Sequence, residues 1–186
     1  MPRIFFAIDL PEKVRENLAQ LQLKIPHDPG AVKLVEKDNF HLTLLFCGEV
    51  TEANLVRQLR QAAAVAKSFP PFTAGIGGVG VFPSPARPRV FWAGIREGRE
   101  DIIRLAAALS RTLGVAPGQH YSPHLTLGRV RQGKRASSGN FLEQTDFFAG
   151  AFAVDRFFCL ESTLTRRGPV YQKRETFMLG GREAKQ

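Results

Sequence analysis

Two short stretches carry residue types that could do chemistry together. Phe40-His41-Leu42-Thr43-Leu44 is one, and Pro123-His124-Leu125-Thr126-Leu127 is the other. Each lies in an apolar run that reads as a β-strand. Strand side chains alternate between faces, so each His shares a face with its Thr while the leucines take the opposite face. The leucines can anchor in a core while His41, Thr43, His124 and Thr126 face a groove. If the strands meet there, two imidazoles and two hydroxyls converge. One neutral imidazole can take a proton while the other, protonated, gives one. Hydroxyls can hold an anionic oxygen. Displacement at phosphorus needs this set, and an imidazole pKa near 6.5 makes both forms accessible near neutral pH.

The elements that must position these residues repeat as well. Arg3-Ile4-Phe5-Phe6-Ala7 is echoed by Arg89-Val90-Phe91-Trp92-Ala93, 86 positions later, and the histidines are 83 apart. A helix is expected after each opening strand. Val14, Leu18, Leu21 and Ile25 mark the first; Ile102, Leu105, Ala106, Leu109 and Leu113 mark its counterpart, which ends at Gly114. Another helix begins at Thr51 as N-cap, with Leu55, Leu59, Ala62 and Ala66 on its apolar face. Val32 to Val35 reads as a short strand, and the first histidine strand runs to Phe46 before Gly48 breaks it. Phe72 to Phe82 reads as a glycine-rich strand or strand pair, followed by a proline-rich connector. Beyond Val130 a weaker helix is expected around Asn140 to Phe148. Two strands, Phe152 to Thr165 and Val170 to Leu179, close the chain. Two features recurring in one order imply an internal duplication of a β-α-β-β-α-β unit. The expectation is a single bilobal α+β domain over residues 1–186, with repeats of about 1–83 and 84–186 and antiparallel sheets around a central groove.

Composition narrows the partners. Lys plus Arg number 26 against 17 Asp plus Glu, a formal net charge of +9. That balance favours polyanions, nucleic acid first. Cys47 and Cys159 lie far apart in apolar runs and read as buried free thiols. No signal peptide or membrane-length apolar run is present in the sequence, so a soluble cytoplasmic protein is the default expectation.

Three patterns are rejected as sites. Gly75-Ile76-Gly77-Gly78-Val79-Gly80 matches a dinucleotide fingerprint in letters, but no helical pattern follows it. His120 and His124 have the spacing of a zinc pair, but Pro123 forbids the helix that would align them. His27 lies in a proline-rich loop. No metal or cofactor is expected.

With both tetrads in view, the sequence resembles the 2H phosphoesterases, and within them the bacterial and archaeal RNA 2′,3′-cyclic phosphodiesterases, also called 2′-5′ RNA ligases. The resemblance covers essentially the whole chain. It rests on Arg3 to Ile8, the two His-x-Thr-x stretches, Glu161-Ser162-Thr163-Leu164 and Gly168-Pro169-Val170-Tyr171. It implies hydrolysis of RNA 2′,3′-cyclic phosphate ends to a 2′-phosphate, with reversible 2′-5′ ligation as a side activity. It makes His41 the proton donor to the departing 3′ oxygen and His124 the proton acceptor from water. The residues themselves are symmetric about those roles. It also implies that Thr43, Thr126 and Arg129 hold the phosphate. Strict alternation turns Arg129 to the leucine face, so a bulge or a strand end is required to bring it round. Arg131, Lys134 and Arg135 are candidates for gripping RNA, a solvated loop being the alternative. Arg166, Arg167 and Tyr171 are candidates for the groove rim. Phe5 and Phe6 could stack on a base, though core packing is the simpler reading. The expected partner is RNA with a cyclic phosphate end, tRNA fragments among the candidates, and the enzyme is expected to be a monomer. Rival readings are a non-catalytic RNA-binding module and a phosphodiesterase for small cyclic nucleotides or 2′-5′ oligonucleotides.

Overall fold

The computed structural model describes residues 1–181 except 27, 117–120 and 166–167. The chain opens with strand β1 (Arg3–Ile8) and helix α1 (Glu12–Gln22), then β2 (Val32–Leu34), β3 (Leu42–Glu49), helix α2 (Glu52–Ser68) and β4 (Phe72–Phe82). The second half brings β5 (Val90–Glu97), helix α3 (Arg99–Leu113), β6 (Leu125–Val130), β7 (Phe148–Val154), β8 (Arg156–Leu164) and β9 (Pro169–Met178). All strand pairings described are antiparallel. The α+β architecture is the one expected.

The two sheets have the orders β3-β1-β8-β9 and β2-β6-β5-β4-β7. Each places a histidine strand beside the strand that opens its repeat. Neither follows the division of the chain at residue 83. The first sheet takes β8 and β9 from the second half, and the second takes β2 and β4 from the first.

The helices follow their apolar stripes. Val14, Leu18 and Leu21 of α1 are buried, as are Leu55, Ala62 and Ala66 of α2. The Thr51 side chain accepts a hydrogen bond from the Asn54 amide, the N-cap its position implies. Helix α1 packs against β7 and β6, whereas α3 packs against β3. Both α1 and α3 therefore lie against the sheet that the preceding strand does not belong to. One continuous apolar core results, drawn from both sheets.

Three expectations are corrected and one open alternative is resolved. Gly48 does not end the first histidine strand. It lies within β3 at φ 70°, beside a register shift, and the strand runs to Glu49. Of the two readings of Phe72 to Phe82, the single strand is the one present; its glycines bulge it, with Gly78 at φ 73°, without dividing it. The expected helix at Asn140 to Phe148 is a 3₁₀ turn over Gly139–Glu143, and Phe148 already begins β7. Phe141 is the one fully buried side chain of that turn, packed edge-on against Phe91, so it supplies a single anchor and no helical stripe. Phe152 to Thr165 is two strands. The chain changes sheets at Asp155, whose carboxylate pairs with the Arg156 guanidinium at 2.8 and 3.0 Å. An apolar run buried in either sheet looks the same in sequence.

Candidate active site

His41 and His124 stand just ahead of β3 and β6, and each is held by its own backbone. Nδ1 of His41 is 2.8 Å from the Asn39 carbonyl oxygen, and Nδ1 of His124 is 2.8 Å from that of Ser122. A carbonyl only accepts, so Nδ1 carries the proton and donates it in both rings. Nε2 is left as the nitrogen available to a substrate.

Aromatic rings fix each imidazole further. Tyr171 of β9 meets His41 edge-on at 5.1 Å, and Phe82 of β4 meets His124 edge-on at 5.1 Å. Phe5 lies 4.9 Å from His41, and Trp92 lies 6.3 Å from His124. Gly80 has no side chain because Trp92 covers it; a Cβ there would sit 2.1 Å from the indole.

A bulge follows each threonine. Ala7 pairs with Thr43 and Phe6 with Leu45, which skips Leu44. Trp92 pairs with Thr126 and Phe91 with Gly128, which skips Leu127. The skipped residue shifts the alternation by one, so the residue three beyond each threonine returns to the groove side. This is how Arg129 reaches the site. Its Nη2 lies 3.4 Å from Thr126 Oγ1. In the other strand the matching position holds Phe46, which is 66% exposed.

His41, Thr43, His124, Thr126, Arg129 and Tyr171 all line one groove of about 550 Å³. Arg131, Lys134 and Arg135 are exposed and do not line it. Arg131 Nε donates to the Pro29 carbonyl, and Arg89 donates to the Lys134 carbonyl at 3.0 Å, so this loop is tied down beside the groove. Arg166 and Arg167 lie outside the described residues, as do His27 and His120. Phe5 and Phe6 are buried, as core packing implies. Cys47 and Cys159 are free thiols, Cys159 buried and Cys47 partly so.

Phe46, Lys33 and Tyr121 are among the groove residues not expected as site residues from the sequence. Phe46 had a signal, since it stands five residues after His41 as Arg129 does after His124. Lys33 reaches the groove because β2 pairs with β6, where Lys33 is opposite Arg129. Tyr121 ties the two halves together, donating its hydroxyl proton to the Thr43 carbonyl at 2.9 Å. Neither of the last two is marked by spacing.

Electrostatics favour neutral imidazoles in the protein alone. Burial pushes His41 down to about 4, with the positive charges of Arg15 and Arg129 adding to the effect and the Asn39 carbonyl opposing it. Burial also lowers His124, again with Arg129 adding and the Ser122 carbonyl opposing. The field of Arg129 thus reaches both histidines. An anion bound between them would offset that charge and favour protonation. Among the described residues, no group of three or more His, Cys, Asp or Glu side chains is arranged to hold a metal ion.

Two antiparallel sheets that each bring one His-x-Thr strand to a shared groove define a two-histidine phosphoesterase. The model of the LigT-like phosphoesterases matches residues 8–92 and 94–171, and the chain belongs to that family. Among similar proteins is the RNA 2′,3′-cyclic phosphodiesterase of Archaeoglobus fulgidus, 35% identical over 94% of this chain and 99% of that protein. Its counterpart in Methanothermobacter thermautotrophicus is 34% identical over 95% and 98%. Of solved structures, the TT0787 protein of Thermus thermophilus superposes with a TM-score of 0.81 at 33% identity, covering 96% of this chain and 98% of that one. Escherichia coli LigT complexed with 3′-AMP gives 0.78 at 29% identity, covering 96% and 99%.

Proposed function

We infer that this protein hydrolyses the 2′,3′-cyclic phosphate at the end of an RNA, leaving a 2′-phosphomonoester. The observation that carries the reading is the paired presentation of Nε2 from His41 and His124 in one groove with Arg129. The similar proteins named for this activity, and a similar structure that holds 3′-AMP, support the substrate class.

The steps follow from the groups present. Water attacks phosphorus as His124 Nε2 takes its proton. The bond from phosphorus to O3′ breaks, and His41 Nε2 protonates that oxygen. Arg129, Thr43 and Thr126 hold the non-bridging oxygens as negative charge shifts onto them. His41 is neutral in the protein alone, so it gains its proton together with the anionic substrate. Phe46 offers a flat apolar face to the terminal base. Replacing water by a 5′ hydroxyl in the same scheme forms a 2′-5′ linkage, which makes ligation a side activity of the same site. The physiological setting we propose is a cytoplasmic monomer acting on RNA ends such as tRNA fragments. No described helix is long and apolar enough to cross a membrane.

Turnover of a cyclic-ended RNA by single variants tests the roles. His41→Ala and His124→Ala are each expected to lose about 10²- to 10⁴-fold in kcat with the fold retained by circular dichroism. Near-normal turnover by either variant would contradict the mechanism, and intact RNA binding with no wild-type turnover would favour a pure binding module.

A further inference from the structure

A second cavity of about 360 Å³ meets the groove at Glu36, Asn39, His41, Pro169 and Tyr171, which line both. Neither the two-histidine chemistry nor the terminal base uses it. Its apolar part includes Phe158, which is buried, and Leu160. Lys173 is exposed beside them, its Nζ 3.7 Å from the centre of the Phe158 ring. Arg15 also lines the cavity but is committed elsewhere: it pairs with Asp9 and donates to the carbonyls of Leu10 and Lys37. Glu36 and Asp38 add carboxylates.

We propose that this cavity receives the nucleotide immediately upstream of the cyclic phosphate end, its base against Phe158 and Leu160 and its phosphate at Lys173. The inference rests on the proposed role of His41 as donor to O3′. In the ribose, the carbon that bears O3′ is bonded to the carbon that leads through C5′ to the upstream phosphate. An O3′ at His41 therefore directs the rest of the RNA toward the His41 end of the groove, where this cavity opens. In-line displacement puts the attacking oxygen opposite O3′, so the 5′ hydroxyl of a second strand approaches from the His124 side and does not compete. The charges orient the occupant. Carboxylates within the cavity repel a phosphate but accept hydrogen bonds from base amino groups, while the accessible ammonium is at Lys173. A buried apolar surface beneath an exposed cation suits a flat heterocycle.

The test compares cytidine 2′,3′-cyclic phosphate with a dinucleotide ending in a 2′,3′-cyclic phosphate, on wild type, Lys173→Glu and Leu160→Trp. Each variant is expected to lower kcat/KM for the dinucleotide by about tenfold or more, with the mononucleotide within about twofold of wild type. Lys173 is exposed, so Lys173→Glu stands if the tryptophan variant fails to fold. An equal loss on both substrates, or no loss on the dinucleotide, overturns the subsite while leaving the hydrolytic reading intact. Absence of wild-type turnover on both substrates overturns that reading and this one with it.

Discussion

His41 shows how one side chain links stability to chemistry. Its neutral form is buried and hydrogen-bonded, and protonation must work against desolvation. The folded-state pKa of about 4 lies below the ordinary 6.5. Between those values the unfolded chain binds more protons than the native state, so native stability falls as pH drops through the window. The shift corresponds to roughly 3 kcal/mol, fully present above pH 6.5 and lost on approach to pH 4. Urea denaturation across this range is expected to show a shallower pH slope for His41→Gln than for wild type. An unchanged slope would mean that His41 is not held neutral. At this scale the sequence was highly legible. Repetition of His-x-Thr identified four of the side chains that share the groove, and the bulge that brings Arg129 round is present one residue after Thr126. The loop of Arg131 to Arg135 was less legible, because charge alone does not say whether a cation faces a groove or is tied to a neighbouring carbonyl.

At the scale of elements, the bulge in β6 needs support from outside the sheet. Gln22 of α1 is buried, and its Nε2 donates at 2.7 Å to the carbonyls of both Leu127, the skipped residue, and Val35. Removing that amide leaves the Val35 carbonyl without it and loosens the turn of chain that brings Arg129 to Thr126. Gln22→Met is expected to cost about 1–3 kcal/mol by chemical denaturation and to raise KM for the cyclic substrate. A change below about 0.5 kcal/mol would show that the amide does not brace the bulge. Elements were only partly readable in advance. The echo of Arg3 to Ala7 in Arg89 to Ala93 aligns Phe6 with Trp92 letter by letter. In the structure Phe6 packs with Phe157 and Phe177 in the core, whereas Phe5 and Trp92 are the residues beside the histidines. A one-residue slip exchanges the faces of a strand, and an apolar echo cannot register it.

At the scale of the molecule, the sheets interleave the two halves of the chain. β1 and β3 depend on β8 and β9 to complete their sheet, and β5 and β6 depend on β2 and β4. The duplication could be read from spacing, but this exchange of strands could not, since periodicity says nothing about which sheet a buried strand joins. Fragments 1–83 and 84–186 made separately are therefore expected to lack cooperative thermal unfolding, and the intact chain to unfold in one transition. A folded, cooperative fragment would show that the repeats are independent units. The exchange also couples the site, because the Tyr121 hydroxyl of one half holds the Thr43 carbonyl of the other.

The central claim is that two imidazoles flank one cyclic phosphate and expel its 3′ oxygen. ³¹P NMR of an RNA ending in a 2′,3′-cyclic phosphate, followed during incubation with the protein, tests it most directly. Conversion of the cyclic resonance to that of a 2′-phosphomonoester is expected. A 3′-phosphomonoester would reverse the leaving oxygen and contradict the placement of His41, and an unchanged cyclic resonance would contradict the function itself.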